Sequence, residues 1–258
     1  MTLGLPLSTL WAFLLVLARV SGLVAFFPLP AFRAAPGMVR TVLAVAITLA
    51  LFPVWPQLPN TLPTIAQIIG WAFSEAALGL AIGLAVAFLL EGFQVAMQIV
   101  GLQAGYGYSL TVDPTSQADS GVLQVIFMLA TGWLFFIFGF DREIFRVLAA
   151  SFERFPAGSL LKGGGPSAAS LDGIVRLGSG MLVTGVRLAL PVIALLLLID
   201  LALALMGRMQ QQLQLLSLAF PAKMLATLAI LAALAPMFPR LFSTTAERTM
   251  TALWRLLS

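Results

Sequence analysis

Six ionisable residues stand inside otherwise apolar stretches of the chain: Arg19, Glu75, Glu91, Arg187, Asp200 and Lys223. A charge held away from water must pair, line a wet path or take part in chemistry. Glu75, Glu91 and Asp200 could relay protons or ions. The three acids are matched by three bases, however, and no two acids stand four apart on one helix face. Salt bridges between helices or between subunits are the better reading. There is no His and no Cys, which removes disulfides, Cys/His zinc sites, thiol nucleophiles and every dyad or triad that uses imidazole as base. An aspartyl protease would need two converging acids, and Asp113 and Asp200 are the tempting pair. Asp113 precedes a proline and Asp200 lies in Leu198-Ile199-Asp200-Leu201. Neither has a glycine-rich context that would position a nucleophile. No enzyme activity and no cofactor or metal are expected.

The most irregular stretch is Gly101-Leu102-Gln103-Ala104-Gly105-Tyr106-Gly107-Tyr108-Ser109-Leu110-Thr111-Val112-Asp113-Pro114. Gly101, Gly105 and Gly107 loosen the backbone directly after a long apolar block. Both tyrosines of the chain fall here, and Asp113-Pro114 fixes an extended or turn conformation. Irregular backbone at membrane depth survives only where protein buries it or it lines a cavity. A re-entrant or pore-lining loop and an ordinary connector are both open on these grounds.

The elements that must position these residues are set by composition. Of 258 residues, 60% are apolar and 9% charged, with a mean hydropathy of +1.04. Soluble domains run near a quarter charged, so this chain cannot cover its surface with polar groups, and its surroundings must be lipid or other protein. The net charge is +4, but the basic residues are scattered singly and form no stripe for nucleic acid. No Lys or Arg precedes Arg19, and with Pro6 and Pro28 this argues against a cleavable signal.

Six apolar helical blocks emerge at about 10–27, 39–52, 65–100, 122–140, 171–206 and 213–237. Pro28, Pro30 and Pro36 separate the first two, and a Pro-rich connector from Pro53 to Pro59 leads to the third. The fourth has no charge and the length of a bilayer span. After it, Ile144, Leu148, Phe152 and Phe155 share one helical face, and Phe242, Ala246, Met250, Leu253 and Leu257 recur in the same way in the tail. Gly79 and Gly83, with Ala72, Ala76 and Ala87, make a small-residue face on which another helix can pack closely. The sequence divides into 1–155, a Gly-rich connector at 156–170, and 171–258; a loop at 101–121 interrupts the first part.

Two features fit poorly with independent spans. A single helix over 122–155 would be about 51 Å long against a hydrocarbon core of about 30 Å. Six spans would also put Arg33, Arg40 and Arg208 on one side and Arg142, Arg146, Arg154, Lys162, Arg240, Arg248 and Arg255 on the other, which divides the positive-inside vote. The blocks are expected to be largely buried against protein.

Arg19 followed by Phe27-Pro28-Leu29-Pro30 and Pro36-Gly37-Met38-Val39-Arg40 resembles the first helical hairpin of the R-type (FliR, SctT-like) subunit family of the flagellar and type III secretion export gate. Gly101-Leu102-Gln103 with Val112-Asp113-Pro114 is similar to that family's central loop, and Phe155-Pro156-Ala157-Gly158 to the turn after its fourth helix. Leu188-Ala189-Leu190-Pro191-Val192, Leu201-Ala202-Leu203, Arg208-Met209 and Ala219-Phe220-Pro221 continue the match in order over about 10–225. The chain departs from the family at Gly139-Phe140-Asp141, where Gly-His is common, and at Gln211-Gln212, where Pro-Gln is common.

The resemblance implies an all-α, membrane-associated subunit of long helical hairpins, assembled in a helical ring with P-type and Q-type subunits and wrapped by a B-type switch protein. Unfolded export substrates would pass through the ring. It also implies a location in the bacterial inner membrane at the flagellar basal body. Gly105, Tyr106, Gly107, Tyr108, Ser109, Leu110, Thr111, Val112, Asp113 and Pro114 would form part of a plug. Arg19, Glu75, Glu91, Arg187, Asp200 and Lys223 would make subunit contacts that fix ring register. The competing reading is a single-chain secondary transporter or ion channel, which would require an inverted repeat with broken helices at matching positions.

Overall fold

The computed structural model describes residues 7–27, 36–56, 64–106, 121–156, 168–209 and 215–257. Among them there are helices and no strands: α1 (Leu7–Ala25), α2 (Gly37–Ala50), α3 (Ile65–Ala104), α4 (Val122–Ile137), α5 (Phe140–Arg154), α6 (Ala168–Met209), α7 (Leu215–Leu234) and α8 (Phe238–Leu257). Short 3-10 turns at Phe52–Val54 and Ala235–Met237 follow α2 and α7. The all-α expectation holds. Four stretches are long and apolar enough to cross a membrane: Leu7–Ala25, Ile65–Ala104, Asp172–Arg208 and Ala219–Leu256. The chain is a membrane protein.

The fourth apolar block and the amphipathic stretch after it form two helices and not one continuous helix over 122–155. The chain bends by 66° between α4 and α5, and Gly139 at the break has φ +72. That left-handed conformation is costly for any residue with a Cβ. The charge-free run therefore yields a 16-residue helix, about 24 Å long, and the amphipathic stretch starts afresh as α5. Asp141 and Glu143 lie in the first turn of α5 and Arg154 in its last, so both ends complement the helix dipole.

The contacts divide the molecule into two compact units. The first comprises residues 1–88, 135–178 and 246–258; the second comprises 89–134 and 179–245. Each unit draws on both sides of the 156–170 stretch.

In the first unit α1 crosses α3 at glycines. A Cβ on Gly79 would overlap the Arg19 carbonyl oxygen, one on Gly22 the Ala76 carbonyl oxygen, and one on Gly83 would lie 2.9 Å from the Leu23 oxygen. The small-residue face read from the sequence is therefore occupied from within the chain. Next to it α2 packs on α1, with Trp55 Nε1 donating to the Thr48 carbonyl at 2.9 Å and its ring 5.6 Å from that of Phe13. Ile144, Leu148 and Phe152 of α5 are buried, as are Ala246, Met250 and Leu253 of α8; Phe242, in the part of α8 that belongs to the second unit, is buried too. Both amphipathic faces bury the side the pattern marked.

The core of the second unit joins Ala96, Met97, Val100 and Ala104 of α3 to Leu123 of α4 and Ala189, Val192 and Leu196 of α6. Phe93 and Phe127 both meet Phe238 edge-on, at 5.5 Å and 5.0 Å between centroids. That geometry suits the ring quadrupoles.

Candidate functional site

Two ionic clusters, one in each unit, collect most of the charges singled out in the sequence. In the first, Arg19 of α1 is fully buried, as is Glu75 of α3. Arg19 Nε donates to Glu75 Oε2 at 2.6 Å, and Nη2 closes the salt bridge to the same oxygen. Nη1 donates to Ser151 Oγ at 3.0 Å and Nη2 to the Phe155 carbonyl at 2.8 Å. The guanidinium carbon lies 4.0 Å from the centroid of the Phe152 ring. One side chain thus ties α1, α3 and the C-terminal end of α5 together. A planar fork whose N–H donors point in several fixed directions suits this arrangement better than a compact ammonium does. The Phe155 carbonyl caps α5, where the helix dipole favours a cation.

Sequence spacing explains how the groups meet. Glu75 and Gly79 are four apart and share a face of α3. The absent side chain at Gly79 lets the α1 backbone approach, and that approach carries the Arg19 side chain to the carboxylate. Ser151 stands on the buried stripe of α5 between Leu148 and Phe152. A small hydroxyl on an apolar face was the signal that could have marked it as a partner.

The second cluster lies where α3 ends. Lys223 of α7 contacts both carboxylate oxygens of Asp200 of α6, at 2.9 Å and 3.0 Å. Gln103 Nε2 of α3 donates to Asp200 Oδ2 at 3.3 Å. Asp200 keeps 39% of its side-chain surface exposed and Lys223 13%, so this pair is open where the first is sealed. Two residues further on, α3 terminates in a Schellman turn. Gly105 adopts φ +88, its N–H reaches the Leu102 carbonyl at 3.2 Å, and the Tyr106 N–H reaches the Gly101 carbonyl at 2.9 Å. A Cβ on Gly105 would come within 2.6 Å of the Phe220 ring. Tyr106 donates its hydroxyl to the Met224 carbonyl at 3.2 Å, and burial pushes its phenol pKa up. Gly105 and Tyr106, the first two residues of the expected plug, are thus held against α7. Gly107, Tyr108, Ser109, Leu110, Thr111, Val112, Asp113 and Pro114 lie outside the described residues.

The remaining two charges stand apart from these clusters. Glu91 is half-buried further along α3. Arg187 is exposed on α6, where it borders an apolar cavity. The sequence marks the charges without marking their partners, and the structure joins Arg19 to Glu75 and Asp200 to Lys223 within one chain. Gln103, Ser151 and the Phe155 carbonyl were not assigned to them. Among the described residues, no group of three or more His, Cys, Asp or Glu side chains could hold a metal ion.

A family model described as bacterial export proteins, family 1, matches residues 10–249. The chain is similar to the flagellar biosynthetic protein FliR of Escherichia coli (strain K12), with 31% identity over 223 residues that cover 86% of this chain and 83% of the relative. It is 26% identical over 215 residues to FliR of Bacillus subtilis (strain 168), covering 82% and 81% of the two chains. With FliR of Caulobacter vibrioides it shares 24% identity over 219 residues, covering 84% and 86%.

Proposed function

The chain belongs to the bacterial export proteins, family 1, and on that premise we propose that it is a subunit of the flagellar protein export gate in the bacterial inner membrane at the flagellar basal body. It contributes to a channel for unfolded substrates, in a hetero-oligomer with P-type and Q-type subunits and a B-type switch protein. The observation that carries this reading is the family match over nearly the whole chain, joined to relatives named for flagellar biosynthesis. The local geometry supports the plug: α3 ends in an anchored glycine turn at Gly105 and Tyr106, directly before the segment to which the plug is assigned. Its work is passive. It closes the pore against ions and yields to a substrate chain.

Within this reading the Arg19–Glu75 cluster fixes the fold of the subunit, because neither side chain has surface left for a neighbour. Register contacts with other subunits fall to the exposed faces. Co-expression with P-type and Q-type partners, followed by native mass measurement, tests the proposal. A defined hetero-complex containing this chain is expected. A stable monomer or homo-oligomer that ignores both partners would contradict it and favour a single-chain transporter.

A further inference from the structure

A cavity of about 330 Å³ opens in the second unit, at the small end of the range for ligand pockets. Met97, Phe127, Leu188, Val192 and Leu231 give it an apolar wall, and among the described residues Arg187 is the one charged side chain that lines it. Arg187 is exposed, and none of the ion pairs among the described residues includes it. Pro191 also lines the cavity and sits inside α6. Proline has no N–H, so the Arg187 carbonyl, four residues earlier, lacks its helical donor. One residue therefore offers a guanidinium and a carbonyl acceptor at the edge of an apolar hollow.

The position along α6 says what such a hollow can meet. Arg187 and Arg208 bracket residues 188–207, in which the only charge is Asp200, already paired with Lys223. That stretch is about 20 residues, or about 30 Å of helix, the thickness of a hydrocarbon core. With that stretch set across a bilayer, Arg187 would meet lipid headgroups and the apolar wall of the cavity would meet acyl chains.

We propose that the cavity and Arg187 bind one anionic glycerophospholipid of the phosphatidylglycerol class. The acyl chain occupies the apolar cavity, the guanidinium takes the phosphodiester through charge-assisted hydrogen bonds, and the Arg187 carbonyl accepts from a glycerol hydroxyl. The inference rests on the cavity and on α6, and it stands whether or not the export reading does.

Native mass spectrometry of the full chain, alone or within its complex, titrated with phosphatidylglycerol and with phosphatidylcholine of equal acyl length, tests it. Wild-type protein is expected to retain one phosphatidylglycerol at about tenfold lower lipid concentration than phosphatidylcholine, the scale of one charge-assisted contact. Arg187→Gln is expected to erase that preference, leaving weak and equal binding of both lipids. Ala235→Trp, at an exposed lining position, fills the cavity and is expected to weaken both lipids; it carries the test if Arg187→Gln fails to fold. Equal retention of the two lipids by wild type, or selective retention unchanged in either variant, would overturn the proposal. So would a photoreactive side chain at position 235 that captures another polypeptide in membranes instead of lipid, because a neighbouring subunit would then fill the cavity.

Discussion

The Arg19–Glu75 and Asp200–Lys223 pairs are each a basic and an acidic residue placed on apolar helices, yet the structure treats them differently. The first is sealed, with each guanidinium nitrogen donating to a partner on α3, on α5 or at the α5 C-cap and no side-chain exposure on either member. The second is open, with Asp200 two-fifths exposed and a single long amide contact from Gln103. A sealed pair cannot change without exposing an unpaired charge to a low-dielectric interior, so it suits permanent architecture. An open pair leaves its carboxylate within reach of a further partner, and this one sits beside the turn that precedes the proposed plug. The same chemistry holds the subunit together in one unit and leaves room for rearrangement in the other.

The largest effect is expected from breaking the sealed pair. Glu75→Gln leaves a buried guanidinium without its counter-charge, which costs about 3–5 kcal/mol. It is expected to lower the thermal midpoint of detergent-solubilised protein sharply and to reduce its steady-state level. Arg19→Lys keeps the charge but loses the fork that reaches Ser151 and the Phe155 carbonyl, so it is expected to rescue little. Rescue by Lys to near wild-type stability would show that charge alone matters there.

A smaller loss is expected from Gly79→Val. Its side chain would press on the Arg19 backbone oxygen, which belongs to a helix and cannot swing aside. Overpacking of this kind costs about 1–3 kcal/mol and pushes Arg19 away from Glu75. A thermal shift in Gly79→Val that simply adds to that of Glu75→Gln in the double variant would argue against this coupling.

A smaller effect on stability is expected at the open pair, because Asp200 keeps 39% of its side-chain surface outside the chain's own packing. Asp200→Asn and Lys223→Gln are expected to lower the melting temperature less than Glu75→Gln does while altering flagellar protein secretion or motility. A stability loss as large as that of Glu75→Gln would erase the distinction between the two regions.

Much of this architecture was legible in the sequence because helix existence follows from local pattern. The blocks became helices, and both amphipathic stripes face inward at the positions their spacing marked, from Ile144 to Phe152 and from Phe242 to Leu253. The resemblance to the R-type export-gate family, built from short Pro, Gly and Arg landmarks, agrees with the family match over 10–249. What spacing cannot encode is which distant residues meet. Arg19 finds Glu75 across 56 positions and Ser151 across 132, and nothing periodic links them. The bend at Gly139 was hidden by an unbroken apolar run without proline, where one glycine in a left-handed conformation outweighs helix propensity on both sides. Arg187 carried the opposite difficulty. It lies in an apolar block, yet its side chain reaches the surface, because an apolar neighbourhood in sequence does not mean burial when the chain's own surroundings are apolar.

The central claim is that the segment following Tyr106 closes a channel while its base and the sealed cluster hold the subunit's shape. The direct measurement is ion conductance of membranes containing the assembled complex, with residues 107–111 deleted and the Gly105–Tyr106 anchor kept. A raised resting conductance with assembly intact is the predicted result, and an unchanged conductance in a correctly assembled complex would contradict the claim.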